Sequence, residues 1–106
     1  MPIAEIDLGP VNDWDGFHDV FARALGFPEF YGRNMDAWID CLTYGDDSMT
    51  AFEFSPADPL TLQLSACKPF RERCPDLFEA LVDCASFVNW RRIEMGDAPL
   101  LMLSYH

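Results

Sequence analysis

Two carboxylates pose the chemical question in this sequence. Asp36 and Asp40 are four residues apart, so on a helix they stack on one face. Carboxylates so placed move protons, hold a metal, or meet positive charge. Acid–base work asks for one carboxyl in a dry pocket with a raised pKa, whereas Asp36, Asp40, Thr43 and the neighbouring Arg33 share an edge expected to face water. A metal-dependent enzyme built on this pair is therefore the weakest reading, and a plain solvated helix face accounts for most such pairs. His18, between Phe17 and Asp19, reads as a solvated or flanking residue rather than a base, and His106 is at a terminus expected to fray. Cys41, Cys67, Cys74 and Cys84 contain no C-x-x-C pair. They read as reduced, buried hydrophobes rather than as zinc ligands or a disulfide framework. The six glycines are scattered, so no phosphate-cradling loop is evident. No cofactor or metal is expected.

Charge narrows the partners. The chain carries 18 acidic and 7 basic residues, net −11. That field repels nucleic-acid phosphates and anionic lipid and attracts basic proteins. Direct nucleic-acid binding is accordingly disfavoured. Half of the 106 residues are hydrophobic, which predicts one packed domain over 1–106. The first residues, Met1-Pro2-Ile3-Ala4-Glu5, have neither the basic region nor the apolar run of a signal peptide. No stretch approaches the ~18 apolar residues that would span a membrane. The expected location is the cytoplasm.

The acidic pair needs a helix to hold it. Asn34 is a good N-cap, and Met35, Trp38, Ile39 and Leu42 then follow at helical spacing as one apolar stripe. Phe30, Tyr31 and Tyr44 flank this helix, and aromatics beside charge are an interface composition; Tyr31 suits hinge packing better than Tyr44 does. Trp38 reads as core, and Trp14 and Trp90 as packing residues. Before this helix, residues 3–8 read as a strand covered on much of both faces. A helix capped by Asn12 or Asp13 follows and ends at Gly26 before Pro28. After it, residues 50–54 alternate like a short exposed strand and Leu60–Leu64 like a main one. A helical turn over 68–73 precedes a long helix from Pro75 to about Arg91, with Phe87 widening its apolar face. Leu100–Leu103 is an apolar run typical of a buried strand and the best candidate for the sheet centre. Strands separated by helices imply right-handed crossovers, hence a small α/β domain with a three-stranded parallel sheet and helices packed around it.

The run Phe30-Tyr31-Gly32-Arg33-Asn34-Met35-Asp36-Ala37, followed by Asp40-Cys41-Leu42, resembles the signature of the barstar family of ribonuclease inhibitors. The order of elements resembles it too, and Phe87-Val88-Asn89-Trp90-Arg91-Arg92 looks like a barstar-related branch. The resemblance implies a non-enzymatic inhibitor that plugs the basic active site of a secreted, barnase-like ribonuclease. Asp40 would stand where RNA phosphate binds, supported by Asp36. Asn34 and Met35 would line the contact, Phe30 would replace the family's usual tyrosine, and Thr43 and Tyr44 would extend the contact into the adjacent loop. A later-helix acid, Asp76 or Glu79, would add to it. Arg33 departs from the pattern by placing a cation where the family often has an acid, and Thr43-Tyr44-Gly45 departs from the expected loop. These departures motivate an alternative, a non-inhibitory interaction module of the same fold that binds another basic protein.

Overall fold

Leu60–Ser65 alternates leucine with Thr61, Gln63 and Ser65, and it forms the middle strand of the structure. This computed structural model describes all 106 residues apart from the side chain of Asp46. Strand β1 is Ile3–Asp7, β2 is Leu60–Ser65 and β3 is Leu101–Tyr105, all parallel in the order β1-β2-β3. The register sets Ala4 beside Leu62 and Ile6 beside Leu64, with Leu60 beside Leu101 and Leu62 beside Leu103. These residues share one face and build the core with the helices. On the opposite face Ile3, Glu5, Asp7 and Met102 are exposed.

Two expectations about the sheet change here. The centre is β2, not the last strand, because β3 turns Met102 to solvent in spite of its apolar composition. Nor is β1 covered on both faces: its alternation is clean, with only Ala4 and Ile6 inside. One physical reason explains both. Parallel crossovers of one hand, joining strands added in sequence, put every helix on the same side, so the sheet has one dry face and one wet one.

Helix α1, Trp14–Leu25, starts where Asp13 accepts a 2.8 Å bond from the Gly16 amide. It ends at Gly26, whose φ of 63° and close approach to Ala51 Cβ, 2.7 Å from any added Cβ, both require glycine. Helix α2, Met35–Thr43, is capped by Asn34, whose Oδ1 accepts from the Ala37 amide at 2.8 Å. Gly45–Met49 follows as a single irregular turn of π type, with the Phe54 ring packed against Gly45 so closely that a side chain there would collide with it. Residues 50–54 do not form the expected strand. Phe54 plugs the core and Phe52 packs beside it, but the Ala51 amide donates to the Leu25 carbonyl at 2.8 Å instead of to a strand. Alternation supplied the buried ring without supplying a ladder to join. Helix α3 is Cys67–Arg73, and α4, begun by Pro75, runs to Glu94.

The tryptophans divide between core and surface. Trp38 is fully buried, edge-on to Phe21 at 5.7 Å. Trp14, Trp90 and Phe87 are all exposed to a large degree, although Trp14 packs edge-on against Phe17 at 5.3 Å and stacks on His18 at 5.8 Å, as a packing residue would. His18, in contrast, is buried rather than solvated, and shares a 2.6 Å hydrogen bond with the Tyr31 hydroxyl. Among the described residues no helix is long and apolar enough to cross a membrane.

Candidate functional site

Trp38 and Leu42 fix α2 by its inner stripe, so the outward face follows from helical periodicity. Asp36 and Asp40 are both exposed there. Asn34 is exposed at the first turn, Met35 is half-buried beside it, and Tyr44 is 41% exposed at the last. Phe30, ahead of the helix, is the most solvent-facing aromatic at 77%. Phe30, Asn34, Met35, Asp36, Asp40 and Tyr44 therefore share the surface of α2 and its flanks.

Thr43 does not join them. It is fully buried, its hydroxyl donates to the Ile39 carbonyl at 2.7 Å, and its own carbonyl accepts from Arg92 at 2.8 Å. Helical position alone put Thr43 on the acidic edge, but α4 covers that end of α2, so the side chain serves the fold and presents nothing to a partner.

Arg33 also departs from its expected place. Its backbone is left-handed, φ 55°, and the side chain reaches back to α1. There Nη1 meets Asp19 at 2.9 Å, and Nη2 meets the Asp15 carboxylate at 3.5 Å and donates to the Asp15 carbonyl at 3.1 Å. Its charge is committed to α1 acids and leaves the α2 pair alone. Beside it, Trp14, His18, Arg33, Asn34 and Met35 line a cleft of about 290 Å³. Burial lowers the pKa of His18, with Arg33 acting in the same direction and Asp15 and Asp19 opposing. Burial also raises that of Tyr31, which is wedged between His18 and Phe27. Tyr31 packs against the core, as expected of it.

Helix α4 brings a residue the sequence did not flag. Arg91 Nη1 lies 2.9 Å from Asp40 Oδ1, and its guanidinium stacks over Tyr44 at 5.8 Å and Phe87 at 6.0 Å. The hydrogen bond to Asp40 raises the Arg91 pKa still further. Asp36, in contrast, has no ion pair or hydrogen bond among the described residues. The sequence signal for Arg91 was only its place in a last helical turn; nothing local says that α2 lies across from it. The expected acids Asp76 and Glu79 belong to the opening turns of α4. Both are exposed, and Arg91 and Arg92 near the other end of α4 are bonded to α2.

Cys41, Cys67 and Cys74 are buried and Cys84 partly so. Burial pushes the thiols of Cys41, Cys67 and Cys84 up, which keeps them protonated. No group of three or more His, Cys, Asp or Glu suited to a metal ion occurs among the described residues.

The fold and surface define a small parallel α/β protein that presents an acidic, aromatic-flanked helix to solvent. The family described as Barstar (barnase inhibitor) matches residues 1–97, and the chain belongs to that family. A Bacillus subtilis (strain 168) protein named "Putative ribonuclease inhibitor YrdF" is 45% identical over 38 residues, 36% of this chain and 42% of that relative. The match thus spans less than half of the relative's length.

Proposed function

We propose that this chain inhibits a basic, barnase-like ribonuclease by laying the outward face of α2 over its active site. The observation that carries this reading is the exposure of Asp36 and Asp40 on one anchored helix, inside the region that matches the family. A carboxylate accepts paired N–H bonds from arginine much as an RNA phosphate does. Phe30, Met35 and Tyr44 add apolar contact around the charges, and Asn34 adds a polar edge. The net charge of −11 favours encounter with a basic enzyme and repels its RNA substrate. Inhibition is then occlusion, with no covalent step, cofactor or metal. Its setting is the cytoplasm of the cell that makes the ribonuclease, where buried thiols stay reduced.

The Asp40–Arg91 pair favours a second reading, because it spends on this chain part of the charge an inhibitor would direct at its target. On that reading the same face binds a different basic protein without inhibiting a nuclease. Titration into barnase while following RNA cleavage separates the two. Stoichiometric inhibition by the native chain, lost in Asp36→Asn/Asp40→Asn, is the expected result. Absence of inhibition by a folded native chain overturns the barnase-directed reading and leaves the interaction module.

A further inference from the structure

We propose that Arg91 is a specificity residue of this face, selecting a partner whose cations are bordered by a carboxylate over one that is cationic throughout. The proposal rests on the reading that the α2 face binds a basic protein, and it specifies the partner's chemistry. Asp40 Oδ1 is already taken by Arg91, so an incoming arginine or lysine meets a half-satisfied carboxylate. The unpaired anion of the face is Asp36, one helical turn away. Counted together, Asp36, Asp40 and Arg91 present one net negative charge instead of two.

Arg91 is held at the edge of this face by packing. It leaves a compact, partly covered helix, its side chain is 28% exposed, and Tyr44 and Phe87 stack on it. A second cation approaching Asp40 must come near this fixed positive charge. Repulsion between unit charges about 4 Å apart is worth about 1 kcal/mol in water, a factor of about five in affinity, and more as water is excluded. A partner carboxylate placed next to its cations reverses the sign. It draws a hydrogen bond from the Arg91 guanidinium and frees Asp40 for the partner's cation, an exchange of ion pairs with no charge left uncompensated. Arg33 does not play this part, since Asp15 and Asp19 hold it on α1.

The test uses two peptides of equal length on the full chain in low salt: one all arginine, one with arginine and glutamate alternating. Arg91→Met keeps an apolar stem against Tyr44 and Phe87 while removing the charge. Arg23→Met, at an exposed position on α1, makes the same change in net charge elsewhere. Arg91→Met is expected to raise the preference for the all-arginine peptide by about fivefold, and Arg23→Met to leave it within about twofold. Asp40→Asn should weaken all-arginine binding far more in the Arg91→Met background than in the native one. Equal preferences in the Arg91→Met and Arg23→Met chains, or an equal cost of Asp40→Asn in both backgrounds, overturns the proposal. These readouts are independent of the ribonuclease: failure to inhibit barnase with the peptide result intact removes the inhibitor reading alone.

Discussion

Arg91 and Arg92 are neighbours in sequence, and both reach from α4 to α2, yet they do opposite work. The Arg92 side chain is 8% exposed, donates to the Thr43 carbonyl and meets Asp97 at 2.9 Å. It ties the end of α2 to the end of α4, with the guanidinium buried and Asp97 at the surface. The Arg91 pair lies on the rim, where the Asp40 side chain is 59% exposed. Desolvation decides the difference. A buried guanidinium that satisfies a buried carbonyl is part of the fold, whereas a rim guanidinium exchanges partners at little cost. Arg73, itself exposed, also serves the fold, donating to the carbonyls of Leu8, Gly9 and Val11 and closing the β1–α1 loop.

The sharpest way to break this contrast is to remove each cation in turn. Arg92→Ala leaves the Thr43 carbonyl and Asp97 without their donor, and urea unfolding should show a loss of about 2–4 kcal/mol. A loss no larger than that for Arg91 would erase the distinction between junction and rim. Arg91→Met should cost less than ~1 kcal/mol of stability, as exposed pairs do, while changing partner preference as described above.

A smaller, pH-gated effect concerns the cleft between α1 and the start of α2. Burial lowers the His18 pKa from its ordinary 6.5, so just below that pH the unfolded chain holds more protons than the folded one. Stability from this site is complete above pH 6.5 and is lost as pH falls toward the folded-state value. Unfolding midpoints followed downward from pH 7.5 should fall in the native chain and flatten in His18→Gln. The His18 ring resonances should titrate below 6.5; titration at or above 6.5 would show that burial does not govern the site.

Much of the proposed binding face was legible because its determinants are local. Asn34 as a cap, the Met35–Leu42 stripe and the four-residue spacing of the acids all act within two turns of one helix, and the structure reproduces each. His18 and Thr43 were misplaced because their surroundings come from distant segments: Tyr31 closes over the first, α4 over the second. Phe87 and Trp90 were misjudged in the other direction. An apolar side chain on a helix is core only if another element covers that arc, and here none does.

By itself the sequence determined where the helices start and stop, which stripe of each is apolar, that three strands alternate with helices, and that the molecule carries a strongly negative field. These follow from backbone sterics, capping and side-chain periodicity, which operate over a few residues. Only the tertiary structure decided that β2 lies at the centre, that one sheet face stays wet, and that Arg91 lies against Asp40, 51 positions away. Those outcomes depend on how elements stack to exclude water. Many pairings satisfy the same local pattern, and burial of the whole core selects among them.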